Sequence, residues 1–287
     1  LIVKTNVYIQ QNEDPDMDMS LQVTIPNEWE KMAAVNVGYT AGIETNMVAP
    51  VWIEKSKIMD NIITISEHSK QVYEKTSYSV KDENTGEVTD TDFKCTTPIS
   101  VVHYPVRQLE EQPVDLNLDY DFNFFTVAQW SARKNLENTI RWFVEEFIDQ
   151  KVGLVVKVNT MNDSCPDRFL TRERLEGLLA PYEGRKCKVY MVHGMMEDAE
   201  LNALYKHPKI KACVTLTHGE GFGLPTFEAA SNGLPVIAPA WSGHVDYLYM
   251  PTKEKKTKKE RLKPKFAKVD FDIGPIPPEA VWDGVLQ

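Results

Sequence analysis

"HGEGFGLPTFEAA", residues His218 to Ala230, sets two glutamates, Glu220 and Glu228, around a short turn with glycines at 219, 221 and 223. Before it, KACVTL reads as a strand. After it, a helix is expected from about Leu224 to Asn232, with Pro225 near the first turn, where proline is tolerated. A strand that enters a helix through a glycine turn presents unpaired backbone N–H groups and the positive end of a helix dipole, which together attract an anion. Two other glycine motifs are excluded. The dinucleotide fingerprint needs a glycine where Leu224 stands, and the phosphate-binding P-loop needs a Gly-Lys-Ser/Thr ending that is absent.

Glu228 is expected in the first turn of that helix and Glu220 in the turn before it. An ionised carboxylate only accepts hydrogen bonds, and its two oxygens suit vicinal hydroxyls. Two carboxylates flanking an anion site therefore fit a ligand with a diol on each side of a phosphate group. A nucleotide sugar, with ribose, diphosphate and hexose in series, is such a ligand.

Outward from this turn, the second half alternates strand and helix. Phe122–Ala128, Val152–Val158, CKVYMV, KACVTL and LPVIA read as strands. Helices are expected over about Asn135–Gln150, Thr171–Ala180 and EDAELNALY. Nearly all-apolar strands between helices indicate a parallel sheet covered on both faces, a doubly wound α/β domain. The first half is less regular. LIVKTNVYI, LQVTI, AAVNVGYT, NIITI and ISVVHYPV read as strands, Pro50–Met59 as a helix, and Ser66 as the N-cap of a helix to about Lys75. Lys81–Thr97 reads as a polar surface excursion and Leu109–Asp121 as the linker. Residues 1–117 form one expected domain and 118–287 the other.

The chain has 287 residues, 42% hydrophobic and 26% charged, the composition of a soluble globular protein. No apolar run approaches the roughly 20 residues that span a bilayer. No signal-peptide pattern opens the chain, which begins at Leu1, so a missing natural start is expected. Cys95, Cys165, Cys187 and Cys213 are scattered without a CxxC pair, which predicts reduced thiols in a cytoplasm and no zinc site. A net charge of −10 disfavours nucleic-acid binding. Lys253–Lys265 carries eight basic residues against two acidic ones, and reads as a solvated, mobile loop or as a peripheral contact with an anionic membrane.

"EGFGLPTFEAASNGLPVIAPAWSGHVDYL" resembles the donor-site signature of retaining glycosyltransferases with the GT-B fold, specifically family 4 (glycosyl transferases group 1). Two further segments carry the resemblance: "FFTVAQWSARKNLENTIRWF", similar to the strand, basic turn and helix that open the family's donor domain, and "DNIITISEHSKQVYEK" in the first half. The resemblance implies two Rossmann-like doubly wound domains with parallel sheets, the N-terminal one incomplete, on the acceptor side, and the C-terminal one binding the donor. It implies a hexosyltransferase that retains anomeric configuration and uses neither a metal nor another cofactor. Glu228 would hold the ribose hydroxyls. Glu220 and the backbone of Gly221, Phe222, Gly223 and Leu224 would hold sugar and diphosphate, with His218 and Gly219 bordering the site. Lys134 and Arg133 would neutralise the leaving diphosphate; a fixed cation does this work without a metal. The donor would be a UDP- or GDP-sugar, and the acceptor a saccharide, a lipid-linked group or a protein.

The sequence also departs from the family. Gln129 stands where an arginine is usual. Ser242-Gly243 replaces a Gly-Gly pair, with Asp246 in the acidic place. The usual N-domain histidine has no counterpart, leaving Glu44 as the nearest polar candidate for a catalytic role. The glycine-rich loop that opens the family's N-domain and the final helix that crosses back to it are not found, so clipped ends are expected. His103, His193 and His244 read as packing residues. Two other readings compete: a non-catalytic nucleotide-sugar-binding module or inactive fragment, and a metal-dependent transferase using an Asp-x-Asp triplet such as those at 16–18, 90–92 and 119–121.

Overall fold

The computed structural model describes residues 17–82, 85–110, 112–254, 259–276 and 278–281. The strand expected over residues 1–9 lies outside them. The chain divides into two compact units between Tyr104 and Pro105, the second being Pro105–Ala280. That division precedes the expected boundary at 117/118, because Val114, Leu116 and Leu118 pack into the core of the second unit.

The first unit contains β1 (Met19–Val23), β2 (Val35–Tyr39), α1 (Pro50–Ser56), β3 (Asn61–Thr64), α2 (Glu67–Lys75), β4 (Ser77–Lys81), β5 (Val88–Lys94) and β6 (Ile99–Val101). Strands β1, β2, β3 and β6 form a parallel sheet in that order. Ser66 caps α2 as expected, its Oγ accepting from the Ser69 amide at 3.1 Å. Much of the polar excursion is an exposed antiparallel hairpin, β4–β5. Of ISVVHYPV only Ile99–Val101 is strand, pairing with β3.

The second unit contains β7 (Asn123–Gln129), α3 (Leu136–Phe147), β8 (Gly153–Asn159), α4 (Cys165–Leu179), β9 (Lys188–Val192), α5 (Asp198–Lys206), β10 (Ile210–Val214), α6 (Leu224–Ser231), β11 (Val236–Pro239), α7 (Val245–Leu248), β12 (Tyr249–Lys253), β13 (Glu260–Pro264) and β14 (Ala267–Val269). Its parallel six-stranded sheet runs β14-β11-β10-β7-β8-β9. Counted from β7 this is the doubly wound order 6-5-4-1-2-3.

Side-chain alternation divides the core. Phe125 and Val155 face one layer with Leu204, Tyr205, Ala229 and Leu248, whereas Leu154, Val156 and Val158 face the other with Leu136, Ile140, Phe143 and Leu175. Each such buried side chain contributes about 1.5–3 kcal/mol, so packing on both faces outweighs helix propensity in holding these helices.

Two expectations need correction. Helix α4 starts at Cys165 rather than Thr171, because Ser164 caps it and its Oγ accepts from the Asp167 amide. The described part of the basic run is not a loop: β12 and β13 pair as an antiparallel hairpin, Lys253 opposite Glu260 and Met250 opposite Lys263. No helix among the described residues is long and apolar enough to cross a membrane. The four cysteines are unpaired.

Candidate functional site

β7 and β10 are neighbours in the sheet, and the chain leaves them in opposite directions, β7 towards β8 and β10 towards β11. A crevice forms outside the carboxyl ends of two such strands. The basic turn follows β7 and the glycine turn follows β10, so sheet order brings together residues some 86 positions apart.

The two turns are laced together. The His218 amide donates to the Arg133 carbonyl at 2.9 Å, and Arg133 Nη1 donates to the Gly219 carbonyl at 3.1 Å. Asn135, left-handed at φ 50° as it caps α3, donates from Nδ2 to the Leu216 carbonyl at 2.9 Å. Lys134 Nζ reaches Glu220 Oε1 at 2.5 Å, and Arg133 lies 3.5 Å from Glu220 Oε2. His218 itself is exposed, and Gly219 and Gly221 are buried.

A second chain of hydrogen bonds holds the turn from beneath. The Glu220 amide donates to Ser242 Oγ at 3.1 Å, and the Gly243 amide donates to the Glu220 carbonyl at 2.8 Å. His244 Nε2 lies 2.7 Å from the Pro239 carbonyl, which can only accept, so Nε2 carries the proton. Burial holds His244 below its usual pKa, against the opposing pull of that hydrogen bond. The neutral ring leaves Nδ1 to accept from the Ser242 hydroxyl at 3.4 Å. A Cβ on Gly243 would stand 1.9 Å from the Gly221 carbonyl oxygen, so glycine is required at this contact.

Gly223 caps α6 at φ 83°, a left-handed conformation that favours glycine. Tyr247 donates to its carbonyl at 2.7 Å, while Phe222, Phe227 and Tyr247 pack with ring centroids 5.1 Å apart. The Phe222 side chain is therefore core, and what it can offer a ligand is backbone. Leu224 is exposed at the helix start.

Glu228 stands in the second turn of α6, not the first, because the helix begins at Leu224. Its Oε2 accepts from the Tyr205 hydroxyl at 3.0 Å, and its Oε1 faces Arg107 at 3.6 Å. Burial pushes its carboxyl above the usual range, with Tyr205 and Arg107 pulling down and Asp198 pushing up. A pocket of about 310 Å³ at the same strand ends is lined by Gln129, Lys134, Lys157, Asp163, Met195 and Pro225 among others. Lys157 donates to the Gly194 carbonyl at 2.7 Å and so anchors the loop after β9. Gln129 donates to the Thr160 carbonyl at 3.3 Å.

Glu44 lies in the first unit, between β2 and α1, apart in the chain from the residues gathered at the β7 and β10 ends. Of the Asp-x-Asp triplets, Asp119 pairs with Lys188 at 2.8 Å and Asp92 with Lys94 at 2.5 Å, while Asp16 is outside the described residues. No group of three metal-ligating side chains occurs among the described residues. Sequence reasoning missed Arg107 and Tyr205, which reach Glu228 from elsewhere in the chain. It also missed Asp167, whose carboxylate accepts from the Thr160 and Met161 amides and from His193 at 2.9 Å.

No family model and no curated protein matches the chain. Solved structures do. One is described as "Trehalose-6-phosphate from E. coli bound with UDP-2-fluoro glucose", with TM-score 0.54 and 12% identity over 86% of this chain and 63% of that one. The "OtsA apo structure" matches at TM-score 0.54 and 10% identity, over 86% and 63%. An α,α-trehalose 6-phosphate synthase from Burkholderia multivorans matches at TM-score 0.51 and 12% identity, over 74% and 53%. The chain thus spans less than two thirds of the length of these structures. At such identities the likeness establishes the fold: mixed α/β with parallel Rossmann-like sheets, of the GT-B class.

Proposed function

We propose that the chain is a glycosyltransferase moving a sugar from a nucleoside-diphosphate sugar to an acceptor hydroxyl, with retention of configuration and without a metal. One observation carries the reading: Lys134 and Arg133 converge on Glu220 and Gly219 at the sheet's switch point, on the turn that opens α6. An anion there meets a helix N-terminus and two cations, and Glu228 is placed beyond it for a diol.

In this reading the diphosphate lies against the turn 219–224 and shares the Lys134 ammonium with Glu220. The second Glu220 oxygen accepts from a sugar hydroxyl. As the glycosidic bond breaks, negative charge grows on the diphosphate, and the ammonium stabilises it in place. The base enters the pocket between Gln129, Lys157 and Met195. UDP and GDP are the donor nucleotides considered, UDP being what the E. coli structure carries as UDP-2-fluoro glucose. The first unit, up to Tyr104, supplies the acceptor side, with Glu44 as a residue near the acceptor. The acceptor is a saccharide, a lipid-linked group or a protein, the location is the cytoplasm, and the β12–β13 hairpin contacts the membrane surface.

The test is thermal stabilisation by UDP, GDP and their sugars, followed by transfer and donor-hydrolysis assays with and without a chelator. A ligand at a hundredfold its Kd adds about 2.7 kcal/mol. Stabilisation with chelator-resistant turnover supports the proposal. Binding without turnover leaves a nucleotide-sugar-binding module, and no binding overturns both.

A further inference from the structure

Glu228 does not stand alone. Arg107, in the segment just after the division between the units, extends one guanidinium across two carboxylates: Nη1 pairs with Asp198 on α5 and Nη2 lies 3.6 Å from Glu228 Oε1 on α6. Tyr205, also on α5, donates to Glu228 Oε2 at 3.0 Å. Among the described residues, Tyr205, Arg107 and Asp198 are the groups that bear on the Glu228 carboxyl. We infer that Arg107 is a positioning residue of the donor site, holding Glu228 ionised and oriented to accept both hydroxyls of a vicinal diol. This rests on the reading of Glu228 as the ribose ligand.

The chemistry is specific. A diol donates two hydrogens, and only the carboxylate form offers an unprotonated acceptor on both oxygens; the protonated acid turns one oxygen into a donor. Two opposing forces bear on the protonation state. Partial burial and the nearby Asp198 charge favour the neutral acid, and Arg107 is the cation that opposes both. Tyr205 fixes one oxygen, and the looser 3.6 Å contact on the other leaves room for a hydroxyl to approach. The guanidinium is half exposed and comes from a segment without regular structure. It can therefore yield as ligand enters while still neutralising Asp198.

The experiment is calorimetric titration of the full chain with UDP and with GDP, in wild type, Arg107→Met and Arg107→Lys, over a pH series running upward from the ordinary carboxylate range, the direction in which burial displaces Glu228. Removing Arg107 raises the Glu228 pKa, so affinity falls off at higher pH as the solution is acidified. The expected result is near wild-type affinity for Arg107→Met at the alkaline end and a roughly tenfold deficit at the acid end for each pH unit of limb displacement, with Arg107→Lys intermediate. Glu228→Gln, which cannot ionise, should lose the acid limb in both backgrounds. A deficit of equal size at every pH marks a purely structural contact and overturns the inference. So does an acid limb that Arg107→Met still moves in the Glu228→Gln background. If wild type binds neither nucleotide, the reading of the site itself falls.

Discussion

Lys134 Nζ lies 2.5 Å from Glu220 Oε1, in a pair whose side chains are only 17% and 11% exposed. In the proposed reaction, a cation held this firmly by the glycine turn would be preset where the leaving diphosphate gathers charge. Lys134→Met is expected to reduce turnover about 100- to 1000-fold, more than it weakens donor binding. Arg133 is engaged with the Gly219 backbone as well as with Glu220. Arg133→Met should therefore raise KM with a smaller effect on kcat. Steady-state kinetics with direct binding measurements separate the two. A change confined to KM for Lys134→Met would make it a binding residue only.

Glu228→Ala is expected to weaken nucleotide binding by about 1.5–3 kcal/mol, the scale of a hydrogen bond to a charged group. Glu228→Gln should cost less, since the amide keeps one acceptor. Equal calorimetric affinity in wild type and the alanine variant would remove Glu228 from the site.

The two glycines Gly243 and Gly177 call for opposite outcomes. A methyl at Gly243 meets the Gly221 and Glu220 backbone, whereas at Gly177, inside α4, it meets nothing within 4 Å. Gly243→Ala should destabilise by about 1–3 kcal/mol and impair nucleotide binding. Gly177→Ala should stabilise by ~1 kcal/mol through helix propensity alone. Thermal melts of the two variants decide.

Asp167 provides a pH signature. Burial opposes its ionisation, but His193 and the amides of Thr160, Met161 and Asn162 overcome this and hold its carboxyl at about 2. An unfolded aspartate titrates near about 4, so the stabilisation is complete above about pH 4 and disappears as the pH falls towards 2. Asp167→Asn should melt earlier than wild type at neutral pH, and the gap should close in acid. A gap that stays constant from neutral pH to pH 3 would contradict this.

The β12–β13 hairpin presents Arg261, Lys263 and Lys265 at alternate positions, with Leu262 68% exposed between them. Binding to vesicles containing acidic phospholipid, absent with neutral vesicles and weakened by salt, is the expected outcome of co-sedimentation. The triple variant R261E/K263E/K265E should abolish it. Equal binding to both vesicle types, or to neither, would leave the hairpin without a membrane role.

Much of the second unit was legible because its signals are local. Leu136, Ile140, Phe143 and Val144 recur at helical spacing and are the buried face of α3, and the apolar strands lie in a sheet covered on both faces. Helix α4 was read short because its buried face opens with the polar Asp167 and Thr171, while Phe169 and Leu170 stay exposed. The hairpin was missed because its lysine-rich residues stay exposed, leaving no alternation of burial to read. The glycine turn and the basic turn were visible separately, but their meeting depends on strand order. Arg107 had no signal at all: nothing in a polar connecting segment foretells a contact with a helix more than a hundred residues onward.

The bond chain from Pro239 through His244 and Ser242 to the Glu220 amide has a thermodynamic corollary. Groups that are immobile before a ligand arrives lose little freedom when it binds, so this turn contributes little ordering entropy to the reaction. Ser242→Ala cuts the chain at its middle. Its effect should then appear mainly as a more unfavourable entropy of nucleotide binding, with the enthalpy less changed.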